Sequence, residues 1–514
     1  MKYPIGIQNF EKIRREGYVY VDKTALVYKL VNEGCYYFLS RPRRFGKSLL
    51  ISTLEAYLSG KKELFKGLAI EQLEKDWTEY LIFHLDLNVG EYLSKESLYE
   101  KLDAFLTPLE EQYGTLPSLH EAGQRFEYVI RQAYKKTGKR IVILVDEYDK
   151  PLLATIAHPE LQDNFRTTLK AFYGVLKSMD GYIKFALLTG VTKFGKVSVF
   201  SDLNNLIDLS MNRRYQQICG ITKEEIVKYF EESVQELADG YGISYDDALA
   251  RLKEDYDGYH FVNNGVDIYN PFSLLNTFAN CEFGRYWFET GTPSYLVEVM
   301  KQDNYSLPDL TREQVTGDFL NSIDSMSKNP IPLIYQSGYL TIKAYDNRFG
   351  FYTLGFPNKE VEEGFADYLL PFYTNVKQGD SAFFIGNFVH DLELGHIDDF
   401  MCRMETMLAD TDYKVVGDSE LYFQNAFYLI SRMLGFYTEV ERETSNGRMD
   451  MVVKTKDYVY IFEFKLDGSA DDALRQIDEK GYAKPFALDS RKLIKVGVNF
   501  SLEKRCIEEW KKED

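Results

Sequence analysis

The sequence predicts an α/β protein. It reads as a parallel sheet flanked by helices, then a helical and winged-helix-like region, then a smaller C-terminal α/β unit. Three observations predict this. Short apolar runs alternate with helical segments as far as about Gly220, a strand–turn–helix at residues 36–58 carries Gly46-Lys47-Ser48, and a hairpin between Met449 and Phe464 gathers two carboxylates and a lysine.

The elements follow in order. Tyr36-Tyr37-Phe38-Leu39 is a short apolar run, Ser40 to Gly46 a turn, and from Lys47 the residues Leu49, Leu50, Leu54, Tyr57 and Leu58 recur at helical spacing. Leu81 to Leu87 is a second strand. Ile141 to Val145 is a third and ends in Asp146-Glu147, and Tyr182 to Leu188 is a fourth and ends in Thr189-Gly190. Runs of consecutive aliphatic residues suit strands buried on both faces, as in a parallel sheet. These elements make a first domain over 1–220. Residues 221–357 form a second region. Thr222 before Glu224-Glu225 starts a helical stretch that lasts to about Asn280, broken by Tyr256-Asp257-Gly258-Tyr259. A helix from Ile331 and two short strands around a polar turn then suit a winged-helix-like element. Residues 358–410 read as a helical connector. Residues 411–514 are the last domain: a helix at 419–434, a strand at 436–440, the hairpin, a helix from Ala470 to Gly481, a final strand from Leu493 to Asn499, and a solvated tail, Lys511-Lys512-Glu513-Asp514.

Composition excludes several classes. The chain has 514 residues, 45% hydrophobic and 27% charged, which is globular composition. The net charge of −18 argues against a surface that coats nucleic acid as a whole. Residues 411–514 carry 17 basic and 20 acidic side chains, so they are the least acidic part and the better place for a polyanion. No apolar run is long enough for a membrane span, and the N-terminus has no signal-peptide core. Five widely spaced cysteines show neither disulfide nor zinc spacing, and a reducing cytoplasm is the expected compartment. The six histidines have no metal-ligand spacing.

Arg44, Phe45, Gly46, Lys47 and Ser48 sit between a strand and a helix, the context of a phosphate-binding loop. Backbone N–H groups at the helix start would face phosphates, Lys47 would reach the β- and γ-phosphates of ATP, and the Ser48 hydroxyl would ligate Mg²⁺. The common pattern has a glycine where this chain has Arg41, and a basic turn before an amphipathic helix is the bland alternative. Asp146-Glu147 at a strand end strengthens the nucleotide reading: Asp146 on the magnesium side, Glu147 as the base for the attacking water. Thr189 either contacts the attacking water or γ-phosphate or simply caps its strand. Arg213 and Arg214 are either an arginine finger or a surface pair.

Ser40 to Ser48, together with Tyr20-Val21-Asp22-Lys23-Thr24 upstream and Val145-Asp146-Glu147-Tyr148-Asp149-Lys150-Pro151 downstream, resembles the bacterial AAA-ATPase-like family. Tyr256-Asp257-Gly258-Tyr259 and Asn270-Pro271-Phe272 match it too, and Arg41 agrees with the family's own loop. The resemblance implies a P-loop NTPase sheet with a helical and winged-helix lid, acting as an AAA+ or STAND-like nucleotide switch. That family is commonly fused to a nuclease-like domain of the PD-(D/E)xK superfamily, which has a restriction-endonuclease-like α/β fold.

The hairpin carries the second chemistry. With a turn at Lys456-Asp457, Thr455 pairs with Tyr458, and Asp450 then falls directly opposite Glu463 on one face. Lys465 lies two residues on, hence on the same face. Two carboxylates and a lysine suit a Mg²⁺-dependent phosphodiesterase: Asp450 and Glu463 ligate the metal beside the Phe464 carbonyl, and Lys465 positions the water. An amphipathic hairpin with a charged solvent face is the alternative, although Val459 and Ile461 on that face are apolar. The motif resembles that of the PD-(D/E)xK nucleases, in which Glu420 fits the helical acid and Gln476 the polar position on the following helix. The combined expectation is an ATPase controlling a nuclease, with ATP and Mg²⁺ as cofactors, nucleic acid as partner (DNA ahead of RNA), no membrane, and self-association open. The rival is a nucleotide-controlled switch whose C-terminal domain binds nucleic acid or protein without cutting.

Overall fold

The computed structural model describes residues 1–194, 205–290, 306–311, 314–321, 329–374, 376–377, 380–408, 419–435, 439–445, 448–501, 503–504 and 506–514, with the backbone alone at 289, 311, 419–422, 424, 439–445 and 448–450. The chain divides into two compact units, one of residues 1–299 with 313–361 and one of 300–312 with 362–514.

The first unit is built on β1 (Tyr36–Ser40), β2 (Leu81–Asp86), β3 (Ile141–Asp146), β4 (Ile183–Gly190) and β5 (Ile207–Asp208). All pair in parallel, in the order β2-β3-β4-β1-β5. Every residue of β3 is buried, as its aliphatic run requires, whereas edge strand β2 alternates buried Phe83 and Leu85 with exposed His84 and Asp86. The short β5 was not read from the sequence. β4 lies between β1 and β3 although it follows both in the chain. The crossover brings the C-terminal ends of β1, β4 and β3 side by side, the position where open α/β sheets bind ligands.

Three lid helices follow, Lys223–Tyr241, Tyr245–Tyr256 and Pro271–Asn280, packed around Phe230, Leu237, Leu252, Tyr256, Leu274 and Phe278. Thr222 and Glu225 close a reciprocal capping box at the first of them. The strands β6 (Gln314–Thr316), β7 (Thr341–Asp346) and β8 (Phe351–Gly355) form a small antiparallel sheet beside helix Ile331–Gln336.

The second unit has helices Ser381–Glu393, Ile397–Leu408 and Ser419–Leu434, then β9 (Glu439–Ser445), β10 (Arg448–Lys454), β11 (Tyr458–Leu466), helix Ala470–Lys480, β12 (Lys492–Ser501) and β13 (Cys506–Glu513). The sheet order is β13-β12-β11-β10-β9, with only β11 and β12 parallel. That parallel pair needs a crossover, and helix Ala470–Lys480 supplies it. Two expectations are extended. The strand read at 436–440 runs further, as β9, to Ser445, and 436–438 lie outside the described residues. Residues 511–514 are solvated as read, with Lys512, Glu513 and Asp514 exposed, but as far as Glu513 they belong to a strand, β13, the edge partner of β12. Its charges disguise it because an edge strand carries them to block further pairing: Lys511 bridges Asp471 and Lys512 bridges Asp398, while Ile507 is buried.

Candidate functional site

The loop after β1 is held from several sides. Gly46 has φ +92°, which favours glycine, and Arg44 takes φ +66° without being one. Phe45 is fully buried and packs edge-on against Tyr259, with ring centroids 4.8 Å apart, so the Tyr256–Tyr259 motif buttresses the loop. The Trp287 indole donates to the Arg43 carbonyl at 3.0 Å, and the Arg44 guanidinium lies 5.1 Å from the Phe272 ring of the lid. Helix Lys47–Leu58 begins without a side-chain cap, which leaves its first N–H groups facing the cleft for an anion. The buried Lys47 ammonium donates to the carbonyls of Arg41 (3.1 Å) and Pro42 (3.2 Å) and lies 3.5 Å from Glu147.

The strand order decides what faces this loop. Asp146 ends β3, and the buried Thr189 hydroxyl reaches it from β4, donating to Oδ1. The Thr189 hydroxyl also lies 3.4 Å from the Val145 carbonyl, so it sits against the end of β3. Glu147 stands at φ +55°, a costly backbone conformation for a non-glycine residue, at the edge of the cleft. Asp149 is fully buried and accepts from Val191 N (3.1 Å), Thr192 N (2.6 Å) and Thr192 Oγ1 (2.6 Å). It thus ties the loop after β3 to the loop after β4. Burial, with the nearby Glu147 charge second, pushes its pKa up to about 6. The approach is close: a Cβ on Gly190 would lie 2.5 Å from Asp149 Oδ1.

Arg44, Gly46, Lys47, Ser48, Glu147 and Lys150 line one open cleft of the first unit. An apolar cavity shares Gly46, Leu49, Pro271 and Leu275 with it and continues to Tyr20, Ile218 and Ile221. Arg213 and Arg214 turn elsewhere, to the Asn263 carbonyl (2.7 Å) and to Glu33 (3.7 Å).

In the second unit, β10 and β11 pair Met449 with Phe464 and Asp450 with Glu463, the register that the two-residue turn dictates. The two faces of β11 differ. Phe462 and Phe464 meet Phe400 and Phe427 at 5.5 and 4.0 Å between centroids. On the other face, Ile461 packs with Leu474 and Ile477 of the crossover helix. Glu463 is on that covered face and is fully buried. Lys465 donates to Glu463 at 3.1 Å and also to the Gln476 side chain. Three of the expected residues therefore converge. The backbone of Asp450 is opposite Glu463 and that of Glu420 is in the first turn of helix Ser419–Leu434, while both side chains lie outside the described residues. The donor atoms of both sites are oxygens, a hydroxyl and a carboxylate in one and carboxylates in the other, which fits a hard divalent cation.

Sequence reasoning missed two features. Asp149 stands in the sequence as one residue of a longer motif, and Arg41 as a departure from the common loop that the family shares; the burial of each is something a loop motif does not encode. Asp391, His396 and Asp399 approach within 4.8 Å of one another, but Asp391 already pairs with Arg403 at 2.7 Å.

Two family profiles match: "Predicted AAA-ATPase" over residues 4–200 and "PD-(D/E)XK nuclease superfamily" over 418–510. A protein of Azotobacter chroococcum mcd 1, described as an uncharacterized protein in the vnfD 5′ region, is 36% identical over 522 residues, covering 98% of each chain. The Aeropyrum pernix ORC2 protein, solved in ADPNP–ADP complexes, is similar at 10% identity with a TM-score of 0.20, over 64% of this chain and 88% of that one, a likeness too slight to carry an argument. Among the described residues, no helix is long and apolar enough to cross a membrane.

Proposed function

This chain belongs to the family of predicted AAA-ATPases with a C-terminal PD-(D/E)XK nuclease-superfamily domain, and from that premise we propose that it hydrolyses Mg·ATP and uses the nucleotide cycle to control a Mg²⁺-dependent nuclease on the same polypeptide.

In the first site, the backbone from Arg44 to Ser48 cradles the phosphates and Lys47 neutralises their charge. Ser48 and Asp146 hold the metal, Thr189 keeps the Asp146 carboxylate aimed, and Glu147 accepts the proton of the attacking water. Asp149 fixes the loop that carries Glu147. The adjoining apolar cavity takes the base. In the second site, Asp450 and Glu463 hold the metal with the Phe464 carbonyl. Lys465, steadied by Gln476, orients the water, and Glu420 adds a further acid. Magnesium, when bound, supplies the charge that polarises a phosphate oxygen. The partner is nucleic acid, DNA in preference to RNA, the working compartment is the cytoplasm, and self-association belongs to the same reading.

One observation carries the nuclease half: a glutamate, a lysine and a glutamine meet between a sheet and the helix that covers it, beside Ile461, Leu474 and Ile477. Lys465 links Glu463 to Gln476, while Gln476 Nε2 is buried with no hydrogen-bond partner among the described residues; keeping such polar groups buried has a stability cost, and their retention points to use. The test is cleavage of plasmid DNA and of RNA by the full chain with Mg²⁺, with and without ATP. Wild type should cut, Asp450→Ala should not, and Lys47→Ala should lose the ATP dependence. A wild type that binds nucleic acid but never cuts would reduce the second unit to a binding module.

A further inference from the structure

Arg41 occupies the place where the common phosphate loop has a glycine, and it lines a cavity other than the nucleotide cleft. It is 1% exposed. Its Nη1 donates to the carbonyls of Ser40 (2.9 Å) and Ser210 (2.8 Å), and the guanidinium stacks 3.9 Å over the Phe261 ring. The opposite edge, Nε and Nη2, is buried and has no hydrogen-bond partner among the described residues. That edge is the planar fork that takes two oxygens of a carboxylate, phosphate or sulfate side by side.

A cavity adjoins it, lined by Arg41, Pro42, Ser210, Phe261, Tyr335 and Gln336 among others. None of the described lining residues is an aspartate or glutamate. Asp208, the nearby acid, already bridges Lys193. Burial pulls the guanidinium pKa down to about 10, so it remains charged at neutral pH. The cavity holds about 30 Å³, where roughly 10–15 Å³ suffices for one water. That is room for an oxyanion group and not for a nucleotide. A buried cation without an ion-pair partner is costly, and the open fork beside a small cavity is the means of offsetting that cost.

We propose that Arg41 and this cavity form a small-oxyanion site behind the phosphate loop, distinct from the nucleotide cleft, which takes a phosphate- or carboxylate-type group side-on through Nε and Nη2. The Lys47 ammonium is bonded to the Arg41 and Pro42 carbonyls, so the site adjoins the loop without sharing its donors.

The test titrates inorganic phosphate, selenate and acetate into the full chain by calorimetry, in chloride buffer at constant ionic strength. Lys47→Ala removes phosphate binding at the loop and so isolates this site from the nucleotide reading. Wild type and Lys47→Ala should both bind, with phosphate and selenate against acetate separating the two ligand sources. Arg41→Lys keeps the charge but lacks the fork and should bind about tenfold or more weakly. Binding lost in Lys47→Ala and kept in Arg41→Lys would assign the anion to the nucleotide loop and overturn the proposal. Equal affinity in all three proteins would mean an adventitious ion only, and no binding in wild type would mean a water-filled cavity; either overturns it. If Arg41→Lys does not fold, anomalous density for selenate in wild-type crystals decides: a peak at hydrogen-bond distance from Arg41 Nε and Nη2 supports the site, and selenate elsewhere or absent refutes it.

Discussion

Removing the Lys465 charge tests whether the β11 cluster is held by electrostatics. Glu463 is 0% exposed, while the Lys465 side chain is 22% exposed and its ammonium lies 3.1 Å away. At that separation the gross attraction is about 5 kcal/mol for an effective dielectric near 20. Solvent reaches the lysine and screens part of this, so the expected loss for Lys465→Met is ~2–3 kcal/mol. The loss is local, because Met preserves the aliphatic stem against the crossover helix. Native-state hydrogen exchange reads it directly: amide protection at Phe462 to Lys465 should fall by about 30- to 150-fold. Glu463→Gln in the same background removes the buried charge itself, and protection should recover most of the way, giving a coupling energy of the same size. A drop of less than about threefold in the single variant, or no rescue in the double, would show that Glu463 does not depend on Lys465 and would sink the electrostatic account.

Three further outcomes are expected. Glu147→Gln keeps the side chain's shape and removes the base, so it should bind ATP as wild type does and hydrolyse it ~10²-fold more slowly; unchanged turnover would move the base elsewhere. Thr189→Val preserves volume and deletes the hydrogen bond to Asp146, and since a bond to a charged group contributes about 1.5–3 kcal/mol, Mg·ATP affinity in a nucleotide titration should weaken by about tenfold or more. Burial pushes Glu360 up to about 8 despite the donors Ser273 Oγ and Trp287 N; a carboxyl raised above its unfolded value keeps a proton that the unfolded chain releases. Stability therefore falls as pH rises from about 4.5 toward 8, by up to ~1.4 kcal/mol per unit, and Glu360→Gln should flatten that part of the melting-temperature profile. Parallel profiles for the two proteins would contradict it.

What could be read from the sequence was local. Side chains alternate along a strand, so a two-residue turn at Lys456-Asp457 is enough to set Asp450 against Glu463, and the structure has that register. Gly46-Lys47-Ser48 between an apolar run and a helical pattern is likewise a statement about neighbours in the chain. The aliphatic run Ile141–Val145 announces a strand buried on both faces because no polar residue interrupts it. By contrast β13 was hidden, since its lysines and glutamates follow the pattern of an exposed edge and of a tail equally well.

The tertiary structure alone decided which strand ends meet. Nothing in residues 183–190 says that β4 inserts between β1 and β3, yet that insertion puts the Thr189 hydroxyl on Asp146 and Asp149 under the amides of Val191 and Thr192. Burial was decided there too: Glu463 is sealed by a crossover helix that follows it, and Arg41 by Phe261, more than two hundred residues away. The physical reason is one of range. Alternation, helical period and turn chemistry are fixed by contacts between residues a few positions apart, so they are written into the sequence in order. Strand order and burial depend on contacts made by chain closures over tens to hundreds of residues, and the same local pattern is compatible with several of those until the whole core packs.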